Sequence, residues 1–211
     1  MADLVRTDNK TLMYQARESL RGLWGLAVAT FFIYMILFVV VQMIPRAGWL
    51  ISILITGPMS VGACIFSIAI ARKQDPQLSQ IFQGFQKFGV SLGAYILQMI
   101  FILLWTLLLI IPGIVAALSY YMTFFIIAEN DSIGPLEAIR KSKEMMYGNK
   151  WKLFCLFLRF LGWALLCLLT LGIGFLWLTP YMFISCAKFY DDVRYNNGVE
   201  HEEDTGFTFS T

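Results

Sequence analysis

The stretch IRKSKEMMYGNKWKLFCLFLRFLGW, residues 139–163, runs from a strongly basic segment straight into an apolar one. Residues 135–148 predict a short amphipathic helix, because proline suits its first position and glycine its C-terminal stop. An apolar run follows at residues 153–171 and contains Arg159. The sequence therefore predicts a basic helix along a membrane surface, followed by a membrane-spanning helix.

The composition of the whole chain also indicates an integral membrane protein. Hydrophobic residues make up 58% of its 211 residues and charged residues only 14%. Soluble domains carry about 25% charged residues, and so few ions do not cover the surface of a soluble protein of this size. Basic residues occur only beside apolar runs, so no nucleic-acid partner is expected.

Six apolar runs predict the fold class: an all-α membrane protein with about six transmembrane helices arranged as three helical hairpins. About 20 residues of helix cross roughly 30 Å of hydrocarbon, and a helix pairs all of its backbone groups internally. The fourth and sixth runs are shorter than the others, so whether they span fully stays open. The runs are 23–44, 48–71, 88–111, 113–128, 153–171 and 173–189.

The runs divide the chain into three parts. Residues 1–22 predict a cytoplasmic amphipathic helix, with Leu12, Ala16 and Leu20 on one face. Residues 23–190 form a single transmembrane domain, which includes the amphipathic helix 135–148. Residues 191–211 are polar and predict a poorly ordered C-terminal tail.

The order of these segments repeats weakly along the chain. Each third offers a short polar or amphipathic segment, an apolar run, a turn containing glycine or proline, and a second run. This order fits three related units, but apolar sequences also resemble one another by chance, so both interpretations stay open.

The positions of lysine and arginine predict the orientation. If the N-terminus is cytoplasmic and all six runs cross, Arg46 is the one loop cation on the far side of the membrane. Cationic loops stay in the cytoplasm, so both termini are expected there.

Candidate helix breaks lie at Pro58, Pro112, Gly113 and Pro180. Proline removes a backbone donor, and glycine permits a chain reversal. The favoured interpretation is tight turns and kinks, with Pro112 and Gly113 reversing the chain between the third and fourth runs. The alternative is helices broken within the membrane, which expose carbonyl groups to a substrate as in transporters.

Two groups of polar residues are candidate sites within the membrane domain. Arg159 can extend its side chain to the interface, or face the bundle and mark a pathway or a partner contact. Glu129, Asn130 and Asp131 end the fourth run and predict a solvated helix end. A cation site, or a counter-charge for the basic helix, is the alternative.

The basic segment itself predicts contacts with the lipid bilayer. Lysine and arginine beside a membrane helix attract anionic lipid headgroups. The candidate headgroup contacts are Arg140, Lys141, Lys143, Lys150 and Lys152.

The residues that catalysis requires are scarce. His201 is the single histidine and lies in an acidic segment, and no zinc-protease or phosphate-loop motif occurs. Cys64, Cys155, Cys167 and Cys186 lie inside apolar runs without paired spacing. No catalytic residue, metal or cofactor is therefore predicted.

Several segments resemble the uncharacterised bacterial integral-membrane family catalogued as domain of unknown function 975. The matching stretches are LWTLLLIIPGI at 104–114, SYYMTFFIIAEND at 119–131, EAIRKSKEMMYGNKWKLF at 137–154 and GWALLCLLTLGIGFLWLTPY at 162–181. The resemblance implies a multi-pass protein of the bacterial inner membrane, and no assigned chemistry.

These observations favour a structural, accessory or scaffolding protein that contacts lipid, and a homo-oligomer or a membrane-protein partner is possible within that interpretation. The alternative is a small transporter, channel or lipid-handling protein that uses Arg159 and proline-broken helices. A polar cavity that contains Arg159 would favour transport, whereas a solid core would favour the scaffold.

Overall fold

Every regular element of the protein is a helix in the part that the computed structural model describes, residues 7–45 and 48–205, with side chains as far as Asn196. Arg46, the cation predicted on the far side, lies outside these residues. A 3-10 helix, Gly84–Lys87, joins α4 to α5. The α-helices are α1 (Asn9–Ser19), α2 (Trp24–Gln42), α3 (Gly48–Ala71), α4 (Gln80–Gln83), α5 (Phe88–Leu108), α6 (Ile110–Tyr120), α7 (Thr123–Glu129), α8 (Pro135–Met145), α9 (Lys150–Leu169) and α10 (Phe175–Thr205).

Within the described residues, five helical segments are long and apolar enough to cross a membrane. They are Trp24–Gln42, Gly48–Ala71, Gln80–Leu108, Ile110–Glu129 and Lys150–Leu169. The sixth predicted run forms the first half of α10, which is not among these five. Thr179, Pro180 and Lys188 lower the hydropathy of that half. The all-helical fold compatible with a membrane is confirmed, whereas the count of six stays a prediction.

The helices follow one another in a threefold order. A short helix precedes two longer helices or helical segments three times: α1 before α2 and α3, α4 before α5 and α6–α7, and α8 before α9 and α10. Each short helix packs against the second long segment of another unit, since α1 contacts α10, α4 contacts α3, and α8 contacts α7. The three units therefore form a closed ring of contacts.

The centre of this ring is occupied by α3, together with α7 and α10. In α3, 67% of the most apolar 18-residue stretch is buried, against 17% in α2 and in α9. Aromatic rings fill the space between the helices. Phe31 contacts Phe66 and Phe183, and Phe125 stacks on Tyr190 with 5.5 Å between ring centroids.

Glycines allow the short helix of the second unit to lie directly on α3. A Cβ atom at Gly62 would collide with the backbone of Ile81, and one at Gly84 would collide with the carbonyl oxygen of Pro58. Ile81 is fully buried in this contact. The closeness of the two backbones therefore depends on the missing side chains.

The helices continue past Pro58 and Pro180, so the chain does not break at these two candidates, whereas the favoured kinks stay a prediction. Both prolines lie inside helices, α3 and α10, that continue past them. A helix can pass through a proline when packing against its neighbours compensates for the lost backbone hydrogen bond.

The reversal between the third and fourth runs occurs at Leu109 instead of Pro112 and Gly113. Leu109 is extended, with φ −162° and ψ 144°, and α6 begins at the next residue. Pro112 therefore lies in the first turn of α6, where backbone N–H groups have no partner within the helix. Gly113 packs against Thr106, and a Cβ atom there would collide with its side chain.

A second interruption, without a proline or glycine, separates α6 from α7 at Tyr121 and Met122. Polar side chains satisfy the carbonyl groups around it. Ser142 of α8 donates to the Ser119 oxygen at 2.9 Å, and Gln98 of α5 donates to the Tyr120 oxygen at 3.0 Å. These bonds fix α8 and α5 to the interrupted helix.

The predicted tail is helical as far as Thr205, because α10 continues past residue 190 without a break. Helix α10 thus includes residues 191–205 of the segment for which a poorly ordered tail is predicted, and residues 206–211 lie outside the described part. Leu12, Ala16 and Leu20 of the α1 region, which the sequence places on one face, are all buried inside the protein.

Candidate functional site

The most concentrated group of charges joins the ends of the three central helices. We call it the Glu129 network and define it as Arg72, Glu129, Tyr190, Asp191 and Arg194. Arg72 follows α3, Glu129 is the last residue of α7, and the other three lie in α10. Each of the three units of the ring thus contributes at least one residue to the network.

Glu129 is the centre of this network. Its Oε1 lies 2.5 Å from Nη1 of Arg72, and its Oε2 accepts a hydrogen bond from the Tyr190 hydroxyl at 2.7 Å. Arg194 pairs with the same Oε2. The Glu129 side chain is only 13% exposed. It is therefore a counter-charge for α3 and α10, and the prediction of a solvated helix end is wrong for this residue.

The end of α3 holds Arg72 in position. Lys73 has φ +55°, and its N–H donates to the Ile70 oxygen while that of Gln74 donates to the Ala69 oxygen. This pair of bonds is a Schellman motif with a lysine at the position that usually holds glycine. Arg72 is consequently the C-cap residue, where a cation also interacts favourably with the helix dipole.

Arg72 connects the network to a second carboxylate. Its Nη2 lies 2.5 Å from Oδ1 of Asp191, and hydrogen bonding to Asp191 raises the pKa of the guanidinium above its ordinary value. Burial and the adjacent Glu129 carboxylate raise the pKa of Tyr190. The phenol therefore keeps its proton at neutral pH and can act as a hydrogen-bond donor.

Lys87 also makes polar contacts at this end of the protein. Lys87 donates from Nζ to the Ile127 and Ala128 oxygens at 2.7 and 3.0 Å, so it caps the end of α7. It also pairs at 2.7 Å with Asp131, whose side chain is 94% exposed. The hydrogen bond and charge of Lys87 lower the pKa of Asp131 below its usual range.

Lys152 belongs to these internal contacts and not to the lipid-facing set predicted from the sequence. Its Nζ lies 2.6 Å from Oδ2 of Asp192, and both side chains are largely buried. The backbone of Thr7 donates to the same Asp192, and Asn9 donates to the Lys152 oxygen at 2.9 Å. Lys152 is therefore a poor candidate for a headgroup contact, because Asp192 already neutralises its charge.

The remaining candidates of the basic segment point outward. Arg140, Lys141 and Lys143 are exposed on α8, and Lys150 is partly exposed. Ala138, Ile139, Ser142 and Met145 of the same helix are buried. The helix therefore has one packed face and one face that carries cations.

Arg159 lies on the outer surface of α9. Its side chain is exposed and borders an open groove with Gly162 and Trp163. Phe160, the next residue, is the one that packs inward. The structure thus places Arg159 apart from the Glu129 network and from the aromatic core.

The arrangement as described is suited to holding helices together. No group of three or more His, Cys, Asp or Glu in the described residues could hold a metal ion. The four cysteines are free thiols, and the side chain of His201 lies beyond Asn196, outside the described side chains. The charges of the network are directed at one another.

Sequence reasoning missed the Glu129 network, although a signal was present. Arg72, Glu129 and Asp191 each come within two residues of the end of an apolar run. These three residues meet only if the second, fourth and sixth runs pack together with their ends on the same side. The sequence of each run by itself does not show which runs pack together.

Comparison with known proteins supports a family assignment. No curated protein matches the chain, and no solved structure matches it either. The family model described as "Protein of unknown function (DUF975)" matches residues 1–119 and 106–197. Because these matches together extend over residues 1–197 of 211, the chain belongs to the DUF975 family.

Proposed function

We propose that the protein is a bacterial inner-membrane protein with six crossings in three helical hairpins, both termini in the cytoplasm, and a structural or accessory role without enzymatic activity. In this topology the Glu129 network and α8 lie on the cytoplasmic side. The predominance of cations on that side supports the orientation.

The observation that carries this proposal is the use of the polar side chains in the network. Arg72, at the end of α3, pairs with Glu129 of α7 and with Asp191 of α10, so these charges already have partners within the protein. A transport or catalytic site instead directs its polar groups at a space where a substrate can bind. The aromatic core below the network is packed, as a scaffold requires.

Solute flux is the test of this role. Protein reconstituted into liposomes is expected to conduct neither ions nor small solutes above protein-free liposomes. Chemical crosslinking in native membranes is expected to capture a second copy or a membrane-protein partner. Robust flux, or a protein that crosslinks to nothing, would contradict the proposal.

Two variants separate the transport alternative from leakage. If any flux is seen, Arg159→Ala and Pro112→Ala test the residues that the alternative requires. Flux that changes in both variants would support transport through a site near them. Flux that is unaltered in both would remove the site at Arg159 and Pro112 that the transport alternative requires.

We further propose that α8 binds anionic lipid through Arg140, Lys141 and Lys143. Replacing all three by glutamine is expected to reduce the ratio of phosphatidylglycerol to phosphatidylethanolamine that copurifies with the protein. Each cation near an anionic membrane surface is worth roughly 1 kcal/mol. Native mass spectrometry of the purified protein measures the bound lipids.

The matched control uses the acidic residues of the same helix. Glu137→Gln and Glu144→Gln remove negative charge from the same exposed face, so they are expected to raise the bound phosphatidylglycerol. An equal decrease in both sets of variants would show that the helix was damaged, and no change in the cation variant would refute the lipid contact.

A further inference from the structure

Two of the chain reversals carry apolar side chains that no part of the described protein covers. In the reversal between α5 and α6, Leu109 is 65% exposed, and between α9 and α10 Leu171 is 94% exposed. Their neighbours Leu107, Ile111 and Leu169 are also strongly exposed. Residues 107–111 and 168–174 contain no charged residue. In water, such an end would be an unusually large apolar surface.

The backbone of the α9–α10 reversal pairs its own hydrogen-bond donors. The N–H groups of Thr170, Leu171, Gly172 and Ile173 all donate to nearby carbonyl oxygens. Gly174 donates to the Thr170 hydroxyl at 3.3 Å. Non-helical backbone in hydrocarbon must be satisfied internally because no water is available. Every N–H group from residue 170 to residue 174 meets this requirement.

In the α5–α6 reversal, two backbone N–H donors are paired and one position has no N–H. Leu109 donates to the Trp105 oxygen and Gly113 donates to the Leu109 oxygen. Pro112 has no N–H, so it removes one of the donors that a helix start leaves unpaired. A proline in the first turn of α6 therefore lowers the cost of placing this helix start in lipid.

The helices are also too short to carry these reversals into water. From Lys152 to Leu169, α9 extends about 26 Å at 1.5 Å per residue. The 21 residues of α5 extend about 31 Å. The hydrocarbon core is about 30 Å thick, and the bilayer with its headgroups is about 40–45 Å. Neither helix has the length to pass the far headgroup layer.

We propose that the α5–α6 and α9–α10 reversals are embedded among the acyl chains of the far leaflet and do not reach the aqueous phase. The α2–α3 reversal is different, since its sequence contains Gln42, Pro45 and Arg46. One end of the protein would then contact lipid at two of its three reversals and water at the third. This inference rests on the proposed membrane location.

Nitroxide accessibility tests the embedding directly. Cysteine with an attached spin label replaces Leu109, Leu171 or, as the control, Ile44 in the α2–α3 reversal. All three side chains are exposed, so their replacement removes few contacts. Cys155 and Cys167 become serine in every variant. The proteins are reconstituted into phosphatidylethanolamine–phosphatidylglycerol vesicles, and collisions with oxygen and with a water-soluble nickel chelate are measured.

Labels at 109 and 171 are expected to collide with oxygen and to lose nearly all collisions with the nickel chelate, whereas the label at 44 retains them. Nickel collisions at 109 or 171 equal to those at 44 would overturn the proposal. The orientation is tested separately with Lys143→Cys and a membrane-impermeant thiol reagent. Labelling of residue 143 from the periplasm would refute the proposed topology without affecting the nitroxide result.

Discussion

Replacing Glu129 by glutamine is expected to destabilise the protein by about 2–3 kcal/mol. The amide keeps the size of the side chain, but it leaves Arg72 and Arg194 without their shared counter-charge. Removing one partner of a fully buried pair costs about 3–5 kcal/mol. We expect less here, because both arginine side chains retain access to water. Thermal unfolding in detergent, followed by tryptophan fluorescence, measures the change.

Asp131→Asn is the matched control for this prediction. It also removes a carboxylate that pairs with a cation, but the Asp131 side chain is 94% exposed. Exposed ion pairs contribute little to stability, so the unfolding midpoint should stay unchanged within error. Equal shifts in the two variants would show that position in the Glu129 network has no special importance.

The second large effect is expected from Gly62→Ala. The added methyl group would meet the backbone of Ile81, which cannot rotate away as a side chain can. Overpacking a core typically costs about 1–3 kcal/mol, and a clash with backbone places this variant at the upper end. The α4 segment should move away from α3, which faster proteolysis between residues 78 and 88 would detect.

Gly162→Ala is the corresponding control in α9. Nothing lies within 4 Å of the position that its Cβ atom would take. Alanine is favoured over glycine in a helix by up to about 1 kcal/mol, so this variant should be as stable as the natural chain or slightly more so. A loss of stability equal to that of Gly62→Ala would contradict the assigned contact.

Features that depend on local signals could be predicted from the sequence. Helix α8 begins at Pro135, where the proline indicated it, but it ends at Met145, three residues before Gly148, which has a positive φ in the turn that follows. Leu12, Ala16 and Leu20 are buried because helical spacing places them on one face. At these positions the local signal and the tertiary packing agree.

Features that depend on distant contacts could not be predicted in the same way. Pro58 looked like a break, yet its carbonyl oxygen lies against Gly84 and α3 continues. The interruption at Tyr121 has no local signal, and its carbonyls are satisfied by Gln98 and Ser142 from other helices. The Glu129 network likewise requires three helix ends that are far apart in sequence.

The ring of short helices has a consequence for the biosynthesis of the chain. Helix α1 is translated before the other described helices, but it packs against α10, the last of them, and Tyr181 of α10 donates to the Met13 oxygen at 3.2 Å. During translation the apolar face of α1 has no completed docking site until most of the chain has left the ribosome. Contacts between such distant segments form slowly, since the intervening chain must be ordered first. Closure of the ring therefore has to wait until α10 has been synthesised, however early the preceding helices form.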